Sequence, residues 1–164
     1  ETGDKNAYAF PLPLKNDASF DFSFSGLKTA LRYTIRDLSP QNTDGTQNID
    51  PITTANIAAS YQTAICQHLV DRINAALSHE NDIQEVHLVG GVSANTVLRE
   101  MTTACCGTSQ TVRFPKKLSY CTDNAAMIAS AAYFLYQAKP SITEHSFETE
   151  ASLPLKEAVM RDEK

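Results

Sequence analysis

The spacing of apolar residues divides the first half of the chain into one extended run and two helices. Residues 20–24, FDFSF, alternate phenylalanine with polar side chains, which is the period-2 pattern of a β-strand. Apolar residues then recur every three or four positions over 27–38, which predicts an amphipathic helix. The same spacing continues over 57–77, behind Asp50-Pro51, which has the form of a helix N-cap followed by proline at the first helical position. The sequence therefore predicts a second, long helix from residue 51.

The second half of the chain alternates short apolar runs with helical patterns. EVHLVGG, residues 85–91, is a β-rich run bounded by glycines, and TVRFP, residues 111–115, is a second strand closed by proline. Residues 94–105 between them have a helical period that ends at Gly107, and residues 122–138 form a last helix. Strand, helix, strand and helix in this order predict a βαβ unit with a parallel pair of strands. The predicted fold class is α/β with a high share of helix.

The chain of 164 residues has the size of one domain. Residues 1–17 contain the proline-spaced FPLPL and are predicted to form an extended arm, because proline fixes φ and removes a backbone donor. The periodic segments lie within 18–138, interrupted by a loop predicted at 39–50, and the polar residues 139–164 are predicted to form a tail. The polar start leading directly into FPLPL indicates a piece of a longer protein.

The charge balance argues against a free-standing nucleic-acid-binding domain. The chain has 14 basic and 19 acidic residues and a net charge of -5, whereas such domains gain affinity by neutralising phosphates. Any RNA contact has to be local or shared with a partner. The one basic line on a predicted helix consists of Lys28, Arg32 and Arg36, four residues apart. This line is either a solvated helix face or a site of phosphate contact.

The cysteines and the hydropathy pattern predict a soluble cytoplasmic protein without a membrane segment. The four cysteines have no CxxC spacing, which favours a reducing compartment. No run approaches the roughly 18 consecutive apolar residues of a membrane span, and the first residues do not resemble a signal peptide. The adjacent Cys105 and Cys106 are either redox-active or, as their apolar surroundings favour, buried thiols.

Gly90 and Gly91 occupy the end of a predicted strand, where ligands bind in open α/β sheets. Two residues without Cβ allow positive φ and let a flat or charged ligand touch the main chain. Either Ser93 or Asn95 can cap the following helix, which leaves the other to reach a ligand. The alternative is a tight turn with a capping asparagine and no ligand. The spacing matches neither a Walker loop nor G-x-G-x-x-G.

Asp123 is the second candidate for binding chemistry. Thr122 is predicted to be the N-cap of the last helix, which places Asp123 in its first turn, where the helix dipole favours an ionised carboxylate. Such an oxygen is a good hard metal ligand, although an aspartate at this place often only compensates the dipole. The four histidines form no ligand cluster, and His79-Glu80 does not continue to HExxH because position 83 is Ile83.

Five segments in order resemble the C-terminal half of the TsaD family. They are FSFSGLKTA (22–30), ANIAASYQTAI (55–65), LVGGVSANTVLRE (88–100), FP (114–115) and CTDNAAMIASAAY (121–133). The family contains the catalytic subunit of tRNA threonylcarbamoyladenosine synthesis, formerly called glycoprotease or O-sialoglycoprotein endopeptidase. The resemblance implies a partial RNase H-like lobe of the actin, Hsp70 and hexokinase ATPase superfamily.

The resemblance also implies the chemistry of the family. A threonylcarbamoyl group would move from threonylcarbamoyl-AMP to the exocyclic amine of the adenosine next to the tRNA anticodon. Gly90, Gly91 and Asn95 would contact ATP or the adenylate, and Asp123 would be one ligand of a divalent metal, iron or zinc. The implied partners are tRNA and the other subunits of the threonylcarbamoyl transferase complex.

The sequence departs from the family pattern in its metal ligands. The HxxxH pair that supplies the other ligands has no match, and the N-terminal phosphate-binding strand and the S-G-G-H segment are absent. The chain is therefore expected to hold one metal ligand and one face of a nucleotide cleft, without catalysis of its own. Two alternatives are the metalloprotease activity once attached to the family and a non-catalytic scaffold paralogue.

Overall fold

The computed structural model describes residues 3–15, 17, 19–39 and 49–141. The chain divides into two compact units, Glu1–Thr122 and Asp123–Lys164. The larger unit contains the helices α1 (Ser25–Leu38), α2 (Pro51–His79) and α3 (Thr96–Cys106), the strands β1 (Glu85–His87) and β2 (Thr111–Arg113), and two 3-10 turns, Gly91–Ala94 and Leu118–Tyr120; the smaller unit contains α4 (Ala125–Ala138). In the described residues, no helix is both long and apolar enough to span a membrane.

The predicted helices and the predicted order of strand, helix and strand are confirmed. Asp50 caps α2 by accepting hydrogen bonds from the backbone N–H groups of Ile52 and Thr53, each at 3.0 Å, and Pro51 is the first helical residue. The hydrogen bonds from Thr53 lower the pKa of the Asp50 carboxyl. Gly107 ends α3 with a positive φ of 57°, as its place in the sequence predicts. The central part of the predicted loop and residues 142–164 of the predicted tail lie outside the described residues.

β1 and β2 form a parallel pair in which Val86 lies opposite Val112. The pairing continues one residue beyond β1, because the backbone N–H of Leu88 donates to the carbonyl of Arg113 at 2.9 Å. Both strands are shorter than predicted. Among the described residues, each strand has hydrogen bonds to a neighbouring strand on one edge only. Strand structure is therefore limited to the three residues of each strand that pair with the other.

The apolar core lies where α2, α3 and the end of β1 meet. Its buried members are Cys66 and Val70 from α2, Leu88 after β1, and Leu98 from α3. The partly buried side chains Leu69, Ile73, Val97, Met101 and Cys105 pack around them. The core therefore fixes the carboxyl end of β1 and the start of α3 against the middle of α2.

A second buried face of α2 holds the N-terminal arm. Asn56, Ser60, His68 and Arg72 occupy this face at four-residue steps, with Ala64 between them, and we call these four polar residues the polar stripe. The amide oxygen of Asn56 accepts from the N–H of Asp4 at 2.8 Å, and the Ser60 hydroxyl donates to the Asp4 carbonyl at 3.1 Å. The stripe thus supplies hydrogen-bond partners for an arm without helix or strand.

Arg72 and Gly3 fix the arm at its two ends. The Arg72 guanidinium is almost fully buried and donates to the carbonyls of Leu14, Asp17 and Ser19 at 2.7, 3.1 and 2.9 Å. At the other end, a Cβ on Gly3 would lie 2.0 Å from the Ala55 carbonyl oxygen, so only glycine allows the arm to approach α2 this closely.

The strand predicted at residues 20–24 is wrong. No residue of this segment belongs to a strand, and α1 begins directly after it at Ser25. The alternation places Phe20, Phe22 and Phe24 on one side of the segment, and their rings pack edge-on against His79 and His68 of α2. The N–H of Ser23 donates to Nε2 of His68 at 3.2 Å, so a helix side chain takes the place of a neighbouring strand.

We expect His68 to make the stability of the protein fall at mildly acidic pH. Burial, with a smaller effect of the Arg72 charge, holds the pKa of His68 below its ordinary value of 6.5, while Asp71 opposes this shift. As the pH falls through 6.5, His68 becomes protonated in the unfolded chain before it does so in the folded state, which favours unfolding. The free energy of unfolding should therefore be constant above about pH 7.5 and decrease as the pH falls through 6.5.

The measurement is urea unfolding between pH 5.5 and 8. The protein with His68→Gln should lose most of this slope, because glutamine does not titrate, whereas His87→Gln at an exposed position should keep it. Equal slopes in the wild-type protein and the His68→Gln variant would show that His68 is not the group responsible.

Candidate functional site

The chain makes an open turn between the end of β1 and the start of α3. This glycine turn consists of Gly90 and the 3-10 turn Gly91–Ala94. The N–H of Ser93 donates to the Gly90 carbonyl at 3.0 Å, and the N–H of Asn95 donates to the Val92 carbonyl at 3.0 Å. Val89 and Val92 are exposed on either side of the glycines, with 76% and 59% of their surface accessible. The turn thus presents backbone flanked by apolar side chains to the outside.

The two glycines are required for different reasons. Gly90 has φ 79° and ψ 176°, a conformation that is essentially restricted to glycine. Gly91 has no positive φ, and a Cβ there would meet only Cγ2 of Thr122, at the ordinary contact distance of 3.9 Å. Within the described residues, the backbone therefore requires glycine at 90, whereas neither backbone conformation nor packing requires it at 91.

Asn95 is the N-cap of α3. Its side-chain oxygen accepts from the N–H of Leu98 at 3.0 Å, and its side-chain nitrogen donates to Oε1 of Gln62 on α2 at 3.1 Å. Of the two caps that the sequence leaves open, the structure uses Asn95, while Ser93 is buried with 1% of its surface exposed. Asn95, which starts α3, therefore also connects the end of the glycine turn to α2 by its hydrogen bond to Gln62.

Arg99 was not predicted as a site residue, and it binds the inner side of the glycine turn. Its Nε donates to the carbonyl of Ser93 at 2.5 Å. Because side chains of a helix lean toward its N-terminus, a residue four positions after an N-cap lies under the preceding turn. The spacing of Asn95 and Arg99 was the signal available in the sequence.

The structure corrects the predicted start of the last helix. α4 begins at Ala125, and its N-cap is Asn124, whose side-chain oxygen accepts from the N–H of Met127 at 3.1 Å. Thr122 is therefore not the cap, and Asp123 precedes the helix instead of lying in its first turn. Asn124 displaces both because an asparagine directly before a run of alanines is among the best N-caps. Asp123 is exposed.

The basic line of α1 is exposed along its whole length, as predicted for a charged helix flank. Lys28, Arg32 and Arg36 all lie on the surface. Arg36 pairs with Asp37 at 2.7 Å, and its guanidinium lies 4.7 Å from the centroid of the Tyr33 ring. Such an exposed ion pair contributes little to stability, so the line is held loosely.

The histidines are packed or solvated, as predicted, and form no metal site in the described part of the chain. His68 is buried, His79 pairs with Glu80, and His87 pairs with Glu85, whereas His145 lies outside the described residues. The described residues contain no group of three or more histidine, cysteine or acidic side chains able to hold a metal ion.

Glu85 belongs to a charged cluster on the outer face of the sheet. Arg113 and His87 donate to its carboxylate, and these hydrogen bonds, that of Arg113 first, lower the pKa of Glu85 to about 2. The hydrogen bonds also fix all three side chains to one another across β1 and β2. We find no chemical role for the cluster beyond this cross-strand pairing.

The cysteines are part of the protein interior. Cys66, Cys106 and Cys121 are buried, Cys105 is partly buried, and all four are free thiols. Burial is the main cause that raises the pKa of Cys105 and Cys106, which keeps both protonated at neutral pH. This surrounding favours buried thiols over a redox-active pair.

A comparison with protein families matches residues 1–130 to the TsaD family, described as tRNA N6-adenosine threonylcarbamoyltransferase. Three relatives carry the same description. The protein of Thermosipho africanus is 36% identical over 137 residues, that of Verminephrobacter eiseniae 38% over 158, and that of Caldicellulosiruptor saccharolyticus 39% over 132. These matches cover 84%, 94% and 80% of this chain but only 38%, 43% and 36% of the respective relatives.

We expect alanine to destabilise the protein at Gly90 but not at Gly91. Gly90→Ala should lower the free energy of unfolding by roughly 1 to 3 kcal/mol, because alanine is strained at the φ of this residue. Gly91→Ala should change it by less than about 0.5 kcal/mol, because the added methyl group makes only an ordinary van der Waals contact with Thr122. Urea unfolding of both variants measures the difference, and a Gly91→Ala protein as unstable as Gly90→Ala would contradict it.

Proposed function

The chain belongs to the TsaD family of tRNA N6-adenosine threonylcarbamoyltransferases, and we propose that it forms the C-terminal part of such an enzyme. The whole enzyme would move a threonylcarbamoyl group from threonylcarbamoyl-AMP to the exocyclic amine of the adenosine next to the tRNA anticodon. The chain spans 36% to 43% of the length of the three relatives described above. The 164 residues alone are accordingly expected to be inactive.

The observation that carries this proposal is the open backbone at Gly91. The fold does not need a glycine there, and a missing Cβ lets a flat or charged group approach the main chain. The turn follows a β-strand and precedes a helix start, which is where nucleotides bind in α/β proteins. A nucleotide at this turn accounts for a glycine that packing leaves unexplained.

We assign the contacts to ATP or threonylcarbamoyl-AMP to Gly90, Gly91 and Asn95. The glycines provide backbone without side chains, and Val89 and Val92 provide apolar surface beside it. The Asn95 side chain is partly engaged by Leu98 and Gln62, but its amide nitrogen carries two hydrogens, of which Gln62 accepts one. The second hydrogen can be donated to a nucleotide.

The described residues do not fit a complete metal site, because Asp123 has no cluster of further ligands among them. We propose that Asp123 is one ligand of a divalent metal, iron or zinc, and that the remaining ligands belong to the rest of the enzyme. A bound metal of this kind would act as a Lewis acid and template for the donor. The metalloprotease and scaffold alternatives gain no support from a described contact.

The remaining assignments follow from family membership and from the surface of α1. We propose that the full-length enzyme has the two RNase H-like lobes of the actin, Hsp70 and hexokinase superfamily, acts in the cytoplasm and requires partner subunits. The exposed Lys28, Arg32 and Arg36 are available for the tRNA backbone. With a net charge of -5 in the chain, this contact would be local.

Gly91→Ala tests the nucleotide site in the full-length protein. The added methyl group should occupy the space of the ligand and weaken ATP binding by about tenfold or more, with the thermal midpoint unchanged. Isothermal titration calorimetry with ATP gives the affinity. Gly26→Ala is the matched control, because it adds the same methyl group to open space on α1.

The nucleotide assignment fails if Gly91→Ala binds ATP as tightly as the wild-type protein. Asn95→Asp gives an independent check, because aspartate keeps the N-cap of α3 but cannot donate a hydrogen bond. It should retain the helix and weaken ATP binding.

Asp123→Asn tests the metal assignment in the full-length protein. Asparagine has the same shape but is a poor ligand, so the metal content measured by mass spectrometry and the modification of tRNA should both fall. Asp82→Asn, at another exposed aspartate, should change neither. A full metal content in Asp123→Asn would show that Asp123 is not a ligand.

A further inference from the structure

Arg99 joins two segments that are separate in the sequence. Its Nε donates to the Ser93 carbonyl of the glycine turn at 2.5 Å. Its Nη2 donates to the carbonyl of Pro115 at 3.3 Å and to the sulfur of Cys121 at 3.6 Å. The guanidinium carbon also lies 4.5 Å from the centroid of the Phe114 ring. One side chain therefore links the glycine turn to the segment that follows β2.

The acceptors of Arg99 show that its orientation is fixed. A guanidinium donates in a rigid planar fork, and here two of its nitrogens serve acceptors on different segments while an aromatic ring covers one face. The backbone N–H of the same residue donates to the Asn95 carbonyl at 3.2 Å. Arg99 is thus bound to the turn through the Ser93 carbonyl, while its backbone N–H makes the ordinary first helical hydrogen bond to the N-cap Asn95.

The Ser93 carbonyl belongs to the fourth of the five residues of the turn, two residues after Gly91. Its bond to Arg99 resists rotation of the Ser93–Ala94 peptide, while Gly90, with no Cβ and an unusual φ, offers little resistance of its own. A turn that contains two glycines loses much conformational entropy when it becomes fixed. The hydrogen bond from Arg99 to Ser93 can hold such a turn in one conformation before a ligand binds, and we call this contact the clamp.

We propose that Arg99 is a positioning residue that presets the glycine turn for the nucleotide. This inference rests on the proposed function, in which the turn binds ATP or threonylcarbamoyl-AMP. Arg99 acts from the protein side of the turn through Ser93, and its effect is on nucleotide affinity. Without the clamp, part of the binding free energy is spent on ordering the turn.

The fork shape distinguishes this role from a simple positive charge. Lysine keeps the charge but is a single ammonium group on a flexible stem, so it cannot serve Ser93 and Pro115 together while stacking on Phe114. If Arg99 positions the turn, lysine should not be able to replace it. If Arg99 instead attracts the nucleotide by its charge, lysine should be able to replace it.

The test uses full-length protein with Arg99→Lys and Arg99→Met. Both variants should raise the Kd for ATP by about tenfold, while kcat for tRNA modification at saturating threonylcarbamoyl-AMP stays within about twofold of the wild-type value. Arg99→Ala should regain part of its affinity when guanidinium at low millimolar concentration fills the vacated site. A purely structural role would instead lower kcat together with the affinity.

Arg113→Met is the matched control, since it removes the same charge from a nearby exposed site that pairs with Glu85. It should leave ATP affinity unchanged. Melting temperatures are recorded for every variant. If Arg99→Met does not fold, the ATP affinity of Arg99→Lys alone tests the proposal.

The outcomes separate this inference from the proposed function. Wild-type affinity in Arg99→Lys would show that charge matters and would overturn the positioning role. The role also fails if Gly91→Ala weakens ATP binding but Arg99→Met does not, in which case the nucleotide site stands. If neither Gly91→Ala nor Arg99→Met affects ATP binding, the nucleotide site itself is refuted.

Discussion

The polar stripe of α2 is the constraint on which the larger unit depends. An arm without helix or strand still carries backbone donors and acceptors, and these need partners wherever water is excluded. Asn56, Ser60, His68 and Arg72 supply them at four-residue steps along one face of the helix. Ser60, His68 and Arg72 are buried, and hydrogen bonds to the arm and to the segment after it offset part of the cost of their desolvation.

The helix α2 therefore makes two kinds of contact, each on a different face. One face binds the backbone of the arm, and the other packs Cys66 and Val70 against Leu88 and Leu98. The apolar face fixes the end of β1 and the start of α3, so the glycine turn between them has little freedom at either end. The hydrogen bonds of Gln62 with Asn95 and of Arg99 with Ser93 further restrict the glycine turn. The turn is open to the outside because everything that fixes it lies behind it.

In the proposed function, this chain carries only part of the active site. Its backbone turn and its apolar surroundings suit a nucleotide, whereas the described residues lack the cluster that a metal requires. This agrees with relatives that are more than twice as long as the matched region. The proposed tRNA chemistry consequently depends on groups outside these residues, and the role proposed for this chain is to bind the nucleotide.

The sequence by itself determined the helices α1 to α3, the parallel pair, the N-cap at Asp50 and the family, because these depend on local spacing and on short motifs. It also placed the glycine turn at the end of β1. Only the tertiary structure decided where the FDFSF segment docks, since a period-2 pattern shows that one side is apolar but not whether a strand or a helix covers it. It likewise decided that Asn124 caps α4 and that Arg99 clamps the turn, because competition between neighbouring caps and contacts between distant segments leave no period in the sequence.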